Sequence, residues 1–310
     1  MRFESIRPGR MAFGRVVAIG GAVLCLAAAG PPVAAEPKAA AVGIQAVRDF
    51  APTVFLHDEE EYQPMAADAF IAGSELRWSH ESGCGDDGIA KPPDAKRLGT
   101  GGYSHQDKSG PPGCNHQGRQ FRSDENVRPK GDGNVADGEG FFLDLDNGAR
   151  NGEGVGAPVY YDIRGQAIVY WLFYGYSDAA ARFNHEGDWE TVTVLLGDGR
   201  PQQVVYYQHG GPCVVPAEGK RPVAYSARGT HASYPKPGEH PYGPEGAATD
   251  TAAAGPRWDT AGNLVPLNTQ PWYRYGGGWG EVGEFKDTTG PQGPHPEWKT
   301  GVPEGSPAPC

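Results

Sequence analysis

Six short runs of aromatic and β-branched residues follow one another between residues 140 and 226. They are Gly140–Asp144, Pro158–Tyr161, Ala167–Tyr174, Asp188–Leu196, Gln203–Gln208 and Pro222–Ser226, each bounded by turn-forming residues. Runs of this length and type, closed at both ends by Gly, Pro, Asp or Asn, predict strands. An earlier run, Pro52–Leu56, predicts one more, and Ile44–Phe50 and Ala66–Ala72 read as short amphipathic helices. No heptad pattern is sustained anywhere, so a coiled coil is excluded.

Composition sharpens this. Together 47 Gly and 29 Pro make 76 of 310 residues, where about 12% is ordinary. The 14 Tyr, 11 Phe and 7 Trp are too many for a disordered chain. The expectation is a mainly β, single-domain β-sandwich with long Gly/Pro-rich loops and a few short helices, spanning residues 36–310. Residues of about 80–140 are poor in aliphatics and read as a loop-rich insert. Residues of about 235–310 return to Gly, Pro and Trp and read as a tail that wraps the domain.

The first 35 residues have the pattern of a secretory signal peptide. Arg2, Arg7, Arg10 and Arg15 precede an apolar run from Val16 to Gly30, and Val33-Ala34-Ala35 offers a cleavage site. The expected location is therefore extracellular, with no integral membrane segment after cleavage. The chain has 27 basic and 38 acidic residues; without the leader's four Arg and one Glu, 23 face 37, a net −14. That balance, with no Lys/Arg cluster, disfavours nucleic acid as a partner. Four cysteines remain, Cys84, Cys114, Cys213 and Cys310. An even number in a secreted chain implies two disulfides, and the preferred pairing is Cys84–Cys114 with Cys213–Cys310.

One segment concentrates chemistry: Asn184-His185-Glu186-Gly187-Asp188-Trp189-Glu190-Thr191-Val192. In an extended strand Asp188 and Glu190 share a face, Val192 and Val194 continue it inward, and Trp189 points the other way into the core. Two carboxylates side by side on a half-buried face repel unless a cation or proton lies between them. His185 precedes them and Asp178 lies in the loop before. These four residues, Asp178, His185, Asp188 and Glu190, form the expected divalent-ion site, for Ca²⁺ or Mg²⁺ ahead of Mn²⁺ or Zn²⁺. In the plainer alternative, Asp188 and Glu190 pair with Arg182 or Arg164 or face water. His209 and His231 close two further strand ends and are candidates to complete the same pocket. His57, His80, His105, His116, His240 and His295 lie in polar stretches and read as structural or solvated.

Familiar signatures fail. Trp189 interrupts what would be H-E-x-x-H, and neither G-x-S-x-G nor a phosphate-binding loop occurs. In order along the chain, however, come Ala51-Pro-Thr-Val-Phe-Leu-His-Asp-Glu-Glu-Glu-Tyr-Gln-Pro64, Tyr170-Trp-Leu-Phe-Tyr174 and His185-x-Gly-Asp-Trp-Glu190. Gln208-His209, Tyr225-Ser-Ala-x-Gly-Thr-His231-Ala-x-Tyr-Pro235, Gly278-Trp-Gly280, Gly290-Pro and Trp298 follow. This series resembles the vacuolar protein sorting 62-related family of plants, fungi and bacteria, a family without a defined biochemical role. The same core is similar to the necrosis- and ethylene-inducing-peptide-like cytolysins, secreted β-sandwich proteins that bind sphingolipid head groups with a divalent ion. That resemblance implies His185, Asp188 and Glu190 as ion ligands in an H-x-x-D-x-E pattern, with Asp178 as the upstream acid. The cytolysin heptapeptide differs at Asn184, Glu186 and Gly187.

Three functions fit these observations. The first is a secreted ion-binding protein that recognises a glycan or lipid head group at a surface, the tail's Trp and Tyr either stacking on sugars or packing the core. The second is a metal-dependent hydrolase of esters or phosphoesters, with His209 or His231 moving the proton. The third is a structural ion site in a cell-wall-associated protein.

Overall fold

The computed structural model describes residues 42–80, 84–106, 119–127, 139–179, 183–283, 288–297, 301, 303, 305 and 307–310. The leader 1–35, Cys114, His116, Arg182 and Trp298 lie outside the described residues. Ala167–Ser177 and His185–Gly197 form the long central pair of a seven-stranded sheet. Its order is Leu264–Pro266, Val159–Arg164, Ala167–Ser177, His185–Gly197, Arg200–Tyr206, Cys213–Pro216 and Ala308–Pro309. The turn into Arg200–Tyr206 is Asp198-Gly199, both at positive φ (51° and 72°). That conformation matches the right-handed twist of a hairpin, and Asp-Gly adopts it at little cost.

The central strand explains its own composition. Ala-Ile-Val-Tyr-Trp-Leu-Phe-Tyr-Gly-Tyr-Ser carries apolar residues at successive positions, the mark of a strand covered on both faces. Val169, Trp171 and Phe173 point into one core, and Ile168, Tyr170, Leu172 and Tyr174 into another. The first core is closed by a four-stranded sheet of Gly278–Trp279, Gly140–Leu145, Ser74–Ser79 and Asp87–Ala90. Leu76, Trp78, Phe141 and Leu143 from these strands join Phe70 and Ile71 of the helix Ala67–Ala72. The second core is closed by Ser233–Tyr234, Val223–Ser226, Thr53–Phe55 and Arg257–Asp259, through Val54, Ala224 and Trp258. The protein is thus mainly β, a sandwich in which one sheet is packed on both sides.

The tail does more than wrap. Its strands Arg257–Asp259, Leu264–Pro266 and Gly278–Trp279 each enter one of the three larger sheets. Trp258, Trp272 and Trp279 are each at most 1% exposed, so these rings pack cores and do not stack on sugars. Cys213 and Cys310 are joined by a disulfide, and Ala308–Pro309 adds an edge strand beside Cys213–Pro216. Cys84 is also disulfide-bonded; its expected partner, Cys114, is outside the described residues.

Candidate functional site: a buried chain of charges beneath a cleft

Gly187 sets up the site. Its φ of +62° breaks the alternation of the His185–Gly197 strand, so Glu186 turns away from Asp188. A side chain at Gly187 would collide with the Trp279 carbonyl. The Glu186 carboxylate is buried and accepts the Leu145 N–H at 2.9 Å and the Glu281 N–H at 3.2 Å, while the Arg150 guanidinium donates at 3.1 Å. It ties the central sheet to Gly140–Leu145. Past the glycine the alternation resumes: Trp189 packs with Phe173 (4.3 Å between ring centroids), Trp279 (5.1 Å) and Trp272 (5.6 Å). Val192 and Val194 belong to the second core.

Asp188 meets His231, which arrives from the loop after Val223–Ser226 in the neighbouring sheet. Its Nδ1 lies 2.9 Å from Asp188 Oδ2, and its Nε2 lies 3.4 Å from Glu60 Oε1. The imidazole is fully buried and stacks on Tyr174 at 3.7 Å and 4°. Burial by itself would lower the His231 pKa, but Asp188 and Glu60 outweigh it and raise the value from 6.5 to about 9. His231 is therefore an imidazolium between two carboxylates. It is also one of few non-glycine residues at positive φ (56°), a conformation costing on the order of 1–2 kcal/mol that these contacts hold in place. Burial would raise the Glu60 pKa, but His231 and the Gly229 and Tyr62 N–H groups, which Glu60 accepts at 2.7 and 2.9 Å, bring it below its usual value.

A second link of the chain starts at Asp250. It accepts Tyr234 O–H and Thr230 O–H, both at 2.6 Å, and binds His209 Nδ1 at 2.8 Å. Burial would raise the Asp250 pKa and lower that of His209; their mutual pairing reverses both effects. Glu190 lies between the two links. Burial, Asp188 and Asp250 together push its carboxyl well above the usual carboxylate range.

Two cavities open onto this chain. The larger, of about 520 Å³, is lined by Phe183, His185, His209, Tyr242, Thr289 and Gln292 among others. Phe183 is 45% exposed, and Tyr242 stacks on His209 at 4.5 Å. The smaller, of about 180 Å³, is lined by Trp189, Glu190, Gln208 and His209 among others. His209 therefore stands between the two, and with Nδ1 taken by Asp250 it has Nε2 to offer a ligand.

The residues singled out from sequence are distributed as follows. Asp188, Glu190, His209 and His231 share one charged cluster. His185 lies on the wall of the larger cleft. Asp178 is exposed, accepts the Asn184 side chain at 2.9 Å, and donates its own N–H to the Gly229 carbonyl at 2.7 Å. Among the described residues, no three of Asp178, His185, Asp188 and Glu190 bring donor atoms within 4.8 Å of one another. Arg164 pairs with Asp162 at 2.7 Å, so the counter-charge for Asp188 is His231. Sequence reasoning missed Glu60, hidden in an acidic triplet that resembles a solvated turn. It missed Asp250 too, whose signal was a lone acid between threonines in the Ala248–Ala252 strand. It also missed a trio elsewhere: His80, Asp87 and His105 place one donor atom each within 4.8 Å, a geometry able to hold a metal.

No family model matches the chain. Vacuolar protein sorting-associated protein 62 of Saccharomyces cerevisiae is 27% identical over 137 residues, covering 32% of this chain and 29% of the yeast protein. The chain resembles that protein. The match spans under a third of the yeast protein's length. Among solved structures, non-toxic HaNLP3 protein is similar over 77% of this chain and 82% of its own, at 13% identity and a TM-score of 0.33. NLPPya in complex with glucosamine is similar over 77% and 80%, at 11% identity and a TM-score of 0.30. Among the described residues no helix is long and apolar enough to cross a membrane.

Proposed function

We propose that the protein is a secreted recognition protein that binds an uncharged glycan or a zwitterionic lipid head group in the larger cleft. The observation that carries this reading is the lining of that cleft. Exposed Phe183 and half-buried Tyr242 offer flat apolar faces to the C–H surface of a sugar ring, and His209 and Gln292 offer hydrogen bonds to its hydroxyls. The buried ion chain beneath keeps His209 and Tyr242 in position, so the cleft is formed before the ligand arrives. The acidic balance of the mature chain disfavours anionic ligands. The leader pattern and the Cys213–Cys310 disulfide support an oxidising, extracellular location. In this reading the His231 imidazolium offsets the charge of Asp188 and Glu60 beneath the cleft.

The His209–Asp250 pair supports a second reading. A histidine oriented by a buried carboxylate on the wall of a cleft is the arrangement of a general base, and a hydrolase of esters or phosphoesters would use it. One screen separates the two: the full mature chain is offered arrayed neutral glycans and vesicles of phosphatidylcholine with or without glycolipid, and retained ligand is then checked for cleavage. Retention without cleavage supports the binding function, cleavage supports the hydrolase, and neither outcome on any surface removes both.

A further inference from the structure

The trio of His80, Asp87 and His105 lies away from the cleft, at the base of the loop-rich stretch. His80 follows the strand Ser74–Ser79, Asp87 opens the strand Asp87–Ala90, and His105 ends the two-residue strand Ser104–His105. His80 Nε2 and His105 Nε2 each lie 2.8 Å from the same oxygen, Asp87 Oδ2. Three donor atoms from three separated segments thus converge on one point. The two rings are held rather than free to turn. His105 stacks on the fully buried Trp78 at 4.8 Å and 4°, and His80 meets His105 edge-on at 5.5 Å. Both imidazoles are about nine-tenths buried or more, while the Asp87 side chain is 48% exposed, which leaves a path from solvent.

We propose that His80, Asp87 and His105 bind one zinc ion that pins the base of the loop-rich stretch. Two imidazoles and one carboxylate suit a borderline cation; calcium and magnesium prefer oxygen-rich shells. Around tetrahedral zinc, with bonds of ~2.0–2.1 Å, donor atoms sit ~3.3 Å apart. The observed 2.8 Å separations admit the ion if the donors part by about half an ångström, a small rotation of the exposed Asp87 carboxylate. The location explains the use of such a site. Residues of about 80–140 have few aliphatic side chains; Leu98, Tyr103 and Phe121 tie them to the first core, and metal bonds at the base would add a second anchor to that sparse packing. The site is independent of the cleft, which shares no lining residue with it.

The test is zinc binding by the full mature chain. After chelation and dialysis, wild type is titrated with zinc against a chromophoric chelator and analysed for metal content. Cobalt(II) is substituted in parallel for its visible absorption. The expected result is one zinc per chain, unaffected by millimolar calcium. Cobalt should give the intense visible bands of a low-coordinate site with histidine ligands. Asp87→Asn and His105→Gln should each weaken zinc binding by on the order of tenfold or more, while Asp188→Asn leaves it unchanged. Chelation should also speed proteolysis within residues 80–140 in wild type and not in the Asp87→Asn variant. Because the cobalt spectrum is read on wild type, it does not depend on the variants folding. A wild type that binds no zinc at micromolar concentration overturns the proposal. Stoichiometry and affinity preserved in both ligand variants, or a purely octahedral cobalt spectrum, does so equally.

Discussion

His231 is the residue whose removal the fold should notice most, in a manner that depends on pH. Its pKa rises from 6.5 unfolded to about 9 folded. A group whose folded pKa is raised stabilises fully below its unfolded value and loses that contribution as pH climbs through the folded value. Every tenfold gain in proton affinity on folding is worth ~1.4 kcal/mol, so the imidazolium contributes about 3 kcal/mol near pH 6 and almost none above pH ~10. The informative variant is His231→Asn, because asparagine tolerates the +56° backbone. It removes the charge between Asp188 and Glu60 and the stack on Tyr174. Losing the stack should cost a pH-independent ~0.5–1.5 kcal/mol, and losing the charge should cost about 3 kcal/mol more at pH 6. Urea denaturation of both proteins at half-unit steps from pH 6 to 9.5 gives the difference directly. The gap should be widest at pH 6, hold to about 6.5, and narrow steadily above it. Two parallel curves would refute the placement of a buried imidazolium between the two carboxylates.

Other substitutions test neighbouring parts of the account. Gly187→Ala should destabilise by ~2–4 kcal/mol in chemical denaturation, since it adds a Cβ at positive φ against the Trp279 carbonyl; a loss under ~0.5 kcal/mol would mean that the strand does not turn there. Trp189→Ala should cost ~3–5 kcal/mol in the same assay, because five aromatic rings surround it, and wild-type stability would contradict the face assignment. Asp250→Asn should weaken ligand retention while the protein stays folded, as read by glycan binding and near-ultraviolet dichroism, because His209 and Tyr234 lose their charged acceptor. Chelator should lower the melting temperature of wild type and of Asp188→Asn alike but leave that of Asp87→Asn unchanged; an effect that disappears with Asp188→Asn would move the ion to the Asp188 cluster.

Much of the fold was legible because burial writes itself into strand composition. The Ala167–Ser177 and His185–Gly197 strands announced themselves through unbroken aromatic and β-branched runs, and the inward course of Asp188, Glu190, Val192 and Val194 followed from simple alternation. Alternation failed at Glu186, where only the positive φ of Gly187 reveals that the carboxylate faces the other way. The partners of Asp188 were not legible at all. Glu60 and His231 lie 128 residues before and 43 residues after it, and long-range pairing leaves no local pattern. For the tail tryptophans the sequence left sugar stacking and core packing open, and the rings fill cores built with other strands. His80 and His105 each sit alone in a polar stretch of sequence, which carries no sign of a shared site; only the Trp78 and Asp87 contacts bring them together.

The central claim is recognition of an uncharged ligand by the cleft of Phe183, His209 and Tyr242. Calorimetric titration of the sugar or head group retained most strongly in the screen, into wild type, Phe183→Ala and Tyr242→Ala, addresses it directly. The account predicts saturable binding to wild type with one site per chain, and a loss of at least about tenfold in affinity in each variant at unchanged stability. Equal affinity in all three proteins would place the ligand elsewhere and contradict the account.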